Sequence, residues 1–419
     1  MKKLFTILLI TGTFVAHAQV KKVLFLGNSY TSANNLPLLV KNIALSFGDS
    51  LFTDQNVPGG HTYKLHTTNT TTLSKIQAQE WDYVILQEQS QIPSLTPVIV
   101  GSDYSVPHSI TLNNLIKGNN PCSETVFYMT WGRENGDASF CAQHPPVCTY
   151  AGMQQELRNT YMLMADSNKA TVSPVGAAWK TVRDSFPSIQ LYTGDGSHPN
   201  IYGSYLAACV FYVTLFQKSC IGSTSIPIGI GTSDAVSLQT VATNTVLDSL
   251  DLWRVNANKP IADFTFNVNT SNGNVDFTNT ATNGVSYEWH FGDGNNSTLE
   301  NPSHTYSGSM NTFSVELIVY SADSCFSDTI IQTVNISATG INSISDYNAL
   351  IIYPNPAKDF IEIKADFTFS SISILDISGK LLRQLNAVNK ISVSDFPKGI
   401  YFIKLVGKET TKTRKFIKE

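Results

Sequence analysis

Val23-Leu-Phe-Leu-Gly-Asn-Ser-Tyr-Thr31 opens as an unbroken apolar run and changes at once to small polar residues. A continuous hydrophobic run of strand length, ended by a turn signal, reads as a strand buried on both faces, as in a parallel α/β sheet. The next segment, Leu36-Pro-Leu-Leu-Val-Lys-Asn-Ile-Ala-Leu45, carries apolar residues at helical spacing. Ser29 is therefore expected just past the carboxyl end of a strand and near the start of a helix. Open α/β sheets bind ligands in that crevice, and a helix N-terminus there favours developing negative charge. Gly-Asn-Ser is also an ordinary turn, so Ser29 needs a partner before it reads as a nucleophile.

That partner lies far downstream, in Leu191-Tyr-Thr-Gly-Asp-Gly-Ser-His-Pro-Asn200. Asp195 and His198 stand three apart in a loop rich in glycine and serine, ahead of a strongly apolar helical segment. A serine hydroxyl needs a base to take its proton, and the base needs a third group to fix its tautomer. Asp-x-x-His supplies both from one short segment.

Gly27-Asn28-Ser29 and Asp195-Gly-Ser-His198-Pro199 together resemble the first and last blocks of the SGNH/GDSL hydrolase superfamily. The departure is Asn28, where the common form has Asp. The resemblance covers roughly the first three-fifths of the chain and implies a flavodoxin-like, doubly wound α/β domain over 19–256. It implies a serine esterase in which Ser29 attacks, His198 is the base and Asp195 orients it, with no metal and no organic cofactor. It also implies an oxyanion hole from the backbone N–H of Ser29 and of a glycine in Asn56-Val-Pro-Gly-Gly-His-Thr62. Gly60 is the match and Gly59 the alternative. The family's third donor is an Asn after a later strand. Here Trp81-Asp-Tyr-Val-Ile-Leu-Gln-Glu-Gln-Ser90 has none, so Gln87 or Gln89 is the expected carboxamide.

Other polar residues read more blandly. His61 and His66 have no carboxylate or cysteine cluster beside them for a metal and read as solvated loop histidines. Glu88, just beyond a strand, reads as a solvated charge. Thr125 to Gly132 reads as a strand opening into a long loop, with Trp131 and Arg133 at its rim in reach of substrate. Met153 to Ala165 reads as a helix with its methionines packed inside. Val172 to Trp179 reads as the strand before Asp195, and Thr232 to Trp253 as the last helix.

The 419 residues call for two or three units. With 42% hydrophobic and 14% charged residues and a formal net charge of -4, no basic stripe suggests a nucleic-acid partner. Met1 to Ala18 has the basic start, apolar run and Ala-His-Ala ending of a secretory signal peptide, and no other segment suggests a transmembrane anchor. In an exported chain Cys141 and Cys148 suit a disulfide closing a short loop. Cys122, Cys209, Cys220 and Cys325 leave other pairings open.

Beyond the linker Asn256-Ala-Asn-Lys-Pro260 the pattern turns to short alternating strands, which argue for β-sandwiches. Trp289-His-Phe-Gly-Asp-Gly294 with Asn301-Pro-Ser-His-Thr-Tyr306 resembles a PKD domain, expected over 260–337, in which Asp293 and His304 serve turn and packing. The final segment, 346–419, contains Ile352-Tyr-Pro-Asn-Pro-Ala357 and Phe396-Pro-Lys-Gly-Ile-Tyr-Phe402 and ends in a basic run. It resembles the C-terminal sorting domain of the type IX secretion system, which implies that machinery as a partner and a secreted or cell-surface location. As bare physics, the basic tail also suits an anionic surface polymer. The sequence thus supports an exported esterase acting on carbohydrate O-acyl groups. A lipase-like esterase and a catalytically impaired glycan-binding surface protein are the alternatives.

Overall fold

The computed structural model describes residues 20–269, 273–306, 310–337, 350–377, 379–408 and 410–419. The expected leader, 1–18, and the start of the expected sorting domain at 346 lie outside them. The chain divides into two compact units, Met1–Ala257 and Asn258–Glu419.

In the first unit β1 (Lys21–Leu26), β2 (Leu51–Asn56), β3 (Tyr83–Leu86), β4 (Glu124–Tyr128) and β5 (Thr171–Ser173) form one parallel sheet in the order β2-β1-β3-β4-β5. This is the flavodoxin-like, doubly wound order. After β1 come α1 (Ser29–Ser32) and α2 (Leu36–Ser46); after β2, α3 (Tyr63–Thr68) and α4 (Thr70–Gln77); after β3, α5 (Pro97–Val100) and α6 (Ser105–Asn119). After β4 comes α7 (Tyr150–Asn168), and after β5 come α8 (Val175–Ser185), α9 (Ile201–Phe216) and α10 (Thr232–Leu247).

The apolar run of β1 has no period because the sheet is covered on both faces. Val23 and Phe25 join one core layer with Val40 and Ile43 of α2, Trp179 of α8 and Phe211 of α9. Leu24 and Leu26 point the other way, into a layer with Leu112 of α6 and Leu157 and Tyr161 of α7. α9 is buried almost all round, from Gly203 to Leu215, as its uniformly apolar sequence requires. Because the chain leaves β1 to one side for β2 and returns to the other for β3, the crevice opens beyond the carboxyl end of β1.

Two of the expected elements differ. The strand expected over Val172 to Trp179 is only three residues long, and Pro174 ends it. Val175, Ala178, Trp179 and Val182 are buried at helical spacing, a 3.6 period that the short apolar run conceals. The last helix stops at Leu247, and 248–253 are turns around the buried Trp253.

The second unit holds antiparallel sheets. Residues 264–337 give β6 (Phe264–Asn269), β7 (Asn274–Asn279), β8 (Ser286–His290), β9 (Asn296–Ser297), β10 (Ser303–Thr305), β11 (Met310–Tyr320) and β12 (Ser327–Ser337). They form sheets β10-β7-β6 and β12-β11-β8-β9 around Phe264, Phe277, Trp289 and Leu317. The His304 ring lies on Phe291 at 4.3 Å, and its Nε2 is 2.7 Å from Asp293 Oδ2, a packed turn as expected. The last part gives β13 (Leu350–Tyr353), β14 (Phe360–Ala365), β15 (Ser371–Leu375), β16 (Leu381–Asn386), β17 (Lys390–Ser392), β18 (Gly399–Val406) and β19 (Thr411–Lys418), in sheets β13-β14-β17 and β16-β15-β18-β19.

The Cys141–Cys148 disulfide closes part of the loop between β4 and α7, whereas Cys209 and Cys220 are buried free thiols. Among the described residues no helix is long and apolar enough to cross a membrane.

Candidate active site

Ser29 is the first residue of α1, immediately beyond β1. Asn28 caps that helix, accepting the Tyr30 N–H on Oδ1 at 3.2 Å. Asn28 also donates from Nδ2 to the His61 carbonyl at 2.9 Å, which ties the turn that carries Ser29 to the glycine loop after β2. An aspartate has no such donor, so the residue that departs from the common motif has a role of its own here. Gly27 is required by space: a Cβ there would stand 2.7 Å from both Gln87 Oε1 and Thr31 Oγ1.

Gln87 fills that space. Its Oε1 accepts the Asn28 N–H and the Thr31 hydroxyl, each at 2.9 Å, and its Nε2 donates to Asn28 Oδ1 at 2.9 Å and to the Glu88 carbonyl. The expectation that Gln87 supplies the third oxyanion donor therefore fails, because its Nε2 is spent on Asn28 Oδ1 in the turn below Ser29 and on the Glu88 carbonyl. The longer side chain leaves the end of β3 and reaches across to β1. Gln89 turns away as well. Its Oε1 accepts the Gln91 N–H at 2.8 Å and its Nε2 donates to Gln91 Oε1 at 3.2 Å, closing the next turn.

The backbone N–H groups of Ser29, Gly59 and Gly60 have no acceptor among the described residues. Gly60 has φ +68, the left-handed region in which glycine carries no Cβ penalty. Its loop is held at two points: Asn28 grips the His61 carbonyl, and Glu88 Oε1 accepts the Tyr63 N–H at 2.9 Å and the Gln89 N–H at 2.7 Å. Glu88 is fully buried, not solvated, and burial pushes its carboxyl up to about 8. A raised carboxyl favours folding most fully below the ordinary carboxylate range, and that contribution is lost as pH rises through the folded value. The wild-type unfolding midpoint should fall between pH 5 and 9. Glu88→Gln, which keeps the Oε1 acceptor, should flatten that fall, as differential scanning fluorimetry across the range will read.

His66, expected in solvent, is also buried. It lies three residues after Tyr63 on one face of α3, and that spacing was the available signal. Its Nε2 is 2.9 Å from the Gly27 carbonyl, and its Nδ1 is 2.7 Å from Thr72 Oγ1, which accepts from Asn56 Nδ2 at 2.8 Å. Thr72 thus donates to Nδ1, and the neutral ring donates Nε2–H to Gly27. Burial lowers its pKa to about 4, consistent with that neutral form. His66→Ala orphans a buried carbonyl and should cost about 1–3 kcal/mol of stability; His66→Gln should recover part of it. Chemical denaturation measures both.

His198, the expected base, lies in the loop between α8 and α9. Ser29 Oγ is 2.8 Å from His198 Nε2, and His198 Nδ1 is 2.5 Å from Asp195 Oδ2. With Nδ1–H given to the carboxylate, Nε2 presents its lone pair to the hydroxyl. Asp195 Oδ1 accepts the N–H groups of Ser197 and His198 at 2.8 and 2.9 Å and the Thr193 hydroxyl at 2.8 Å. Slight burial raises its pKa, but these bonds and the imidazole outweigh it and hold the carboxyl well below the usual range. Gly196, at φ +64, makes the turn.

Aromatic rings back this loop. Tyr30 stacks on Trp131 at 4.8 Å, and Trp131 stacks on Trp179 at 3.8 Å. Tyr30 meets His198 edge to face at 5.2 Å, and its hydroxyl is 2.6 Å from Ser197 Oγ. Trp131 Nε1 donates to the Ser197 carbonyl at 3.0 Å. Trp131 is therefore not at the rim but fully buried, while Arg133 stays partly exposed. Among the described residues no group of three or more His, Cys, Asp or Glu could hold a metal.

Comparison with known proteins adds the following. Residues 257–336 match the family model for the PKD domain, and residues 351–419 match that for the secretion system C-terminal sorting domain. The chain therefore carries a PKD domain and a sorting tail. A stretch of 64 residues is 41% identical to beta-agarase A of Zobellia galactanivorans; it takes in 14% of this chain and 12% of the agarase, so the chain spans only that small part of the curated relative. Among solved structures, a DUF4886 family protein from Bacteroides uniformis is 18% identical, with 55% of this chain and 95% of that one covered and a TM-score of 0.47. The psychrotrophic esterase EstA from Pseudoalteromonas is 13% identical over 47% of this chain and 97% of that one, with a TM-score of 0.33.

Proposed function

We propose that the chain is an exported serine esterase that removes O-acyl groups, acetyl foremost, from carbohydrate. The observation that carries this reading is the hydrogen-bonded series Ser29–His198–Asp195, at 2.8 and 2.5 Å, at the carboxyl edge of the sheet. His198 takes the proton as Ser29 Oγ attacks the ester carbonyl, and Asp195 holds the imidazole and balances its charge. The oxyanion is received by the unengaged N–H groups of Ser29 and Gly60. The alcohol leaves with the proton from His198, and water activated by the same ring frees Ser29. The chemistry uses no cofactor.

The carbohydrate assignment rests on association: a PKD domain and a sorting tail accompany the site, and both suit work on surface polymers. In this reading the leader takes the chain across the inner membrane, and the type IX machinery delivers it to the surface or medium. The test is a phosphonate ester probe followed by peptide mass spectrometry, together with acetate release from acetylated xylan. A single adduct on Ser29 with acetate release supports the proposal. Glycan binding with neither adduct nor turnover overturns it in favour of an adhesion protein.

A further inference from the structure

Arg133 stands beside the proposed site with more donors than acceptors. The segment that carries it is laced to the catalytic loop on both sides: Trp131 Nε1 bonds the Ser197 carbonyl at 3.0 Å, and the Glu134 N–H bonds the Gly196 carbonyl at 2.8 Å. On its other flank is the loop after β3, through Asp137, whose Oδ2 accepts Gln91 Nε2 at 2.6 Å. The two bonds from Trp131 and Glu134 hold the residues on either side of Arg133 against the 193–198 loop that carries His198.

A guanidinium has five N–H donors in a planar fork. Here one of them makes a long contact, Nη1 to Asp137 Oδ1 at 3.4 Å. That carboxylate is fully buried and already accepts shorter bonds from Gln91 and from the Ser139 N–H at 3.0 Å. Nε is buried with no partner among the described residues, while the side chain as a whole is 28% exposed. Buried donors without acceptors are costly, and a fork of this shape fits two oxygens of one anion. The chain's formal net charge is -4, so an acidic polymer gains nothing from its overall field and needs a local cation.

We propose that Arg133 anchors an anion subsite beside Ser29, so that the preferred substrates are acyl esters on acidic sugars, in which a carboxylate or sulfate near the ester takes the guanidinium fork. The proposal rests on Ser29 being the acyl-transfer nucleophile.

The test uses the full chain with p-nitrophenyl acetate as reporter and galacturonate, galactose 6-sulfate and galactose as competitors. Inhibition by one or both anions, weakened by salt and absent with galactose, is expected, and the stronger anion identifies the source. Arg133→Gln should raise the inhibition constant of that anion about 10- to 100-fold. It should lower kcat/KM on acetylated pectin relative to acetylated xylan by a similar factor, with Arg133→Lys intermediate. Equal inhibition by galactose, no competition at all, or an unchanged pectin-to-xylan ratio in Arg133→Gln would overturn the proposal. Wild-type competition decides the matter even if the variants fold poorly. Calorimetry of galacturonate with Ser29→Ala separates the two readings: binding there without turnover supports the subsite, whereas unchanged turnover in Ser29→Ala removes the esterase itself.

Discussion

Ser29→Ala is expected to lower turnover of p-nitrophenyl acetate by about four to six orders of magnitude while leaving the unfolding midpoint nearly unchanged. In the proposed mechanism the hydroxyl is the attacking atom, and among the described residues its one side-chain partner is the His198 ring, so its removal strips the chemistry and little of the packing. His198→Ala should cost a comparable factor, and the double variant hardly more than either, because the groups act as a unit. Asp195→Asn should cost less than removing Ser29, since the imidazole keeps its place but can take the wrong tautomer. Asp195 is held well below the usual carboxylate range, so lowering the assay pH toward 5 leaves it ionised. An acid limb in the rate profile above pH 5 does not belong to it. Stopped-flow and steady-state rates on purified variants check each statement, and a Ser29→Ala protein as fast as wild type would end the esterase reading.

The second large effect falls on Trp131. Its ring is sandwiched between Tyr30 and Trp179, fully buried, and its Nε1 holds the Ser197 carbonyl. Truncating a large buried aromatic typically costs about 3–5 kcal/mol through lost contacts and the cavity left behind. Trp131→Ala should lose about that much in urea unfolding of the α/β unit. Turnover should fall as well, because the same ring sets the height of the His198 loop over Ser29. Trp131→Phe separates the parts: stacking is kept, the Nε1 donor is lost, and turnover should fall by more than stability does. If both variants unfold early yet retain full turnover when folded, the stack is packing alone.

The sheet was legible because its strands are continuous apolar runs that only two-sided burial explains, Val23 to Leu26 above all. That Ser29, Asp195 and His198 meet was legible because Gly-Asn-Ser after a strand and Asp-x-x-His-Pro before a helix resemble two blocks of one family. What escaped was direction. Nothing in Leu86-Gln-Glu-Gln shows that Gln87 reaches back to Asn28, that Gln89 turns forward to Gln91, or that Glu88 goes inward to the Tyr63 N–H. Those choices depend on partners 59, 2 and 25 residues away. Trp131 looked like a rim residue because polar neighbours surround it in sequence, although aromatic rings surround it in space. The helix from Val175 was hidden by apolar residues that suit either period over so short a span.

In the proposed mechanism the base and its orienting carboxylate lie within a single tight turn, whereas the hydroxyl they serve is 169 residues away. On heating, the imidazole–carboxylate couple has every reason to outlast its alignment with the serine. Loss of turnover should therefore sense the lifting of that turn from the sheet edge before spectroscopic melting, making catalytic half-life a gauge of docking between two halves of one domain.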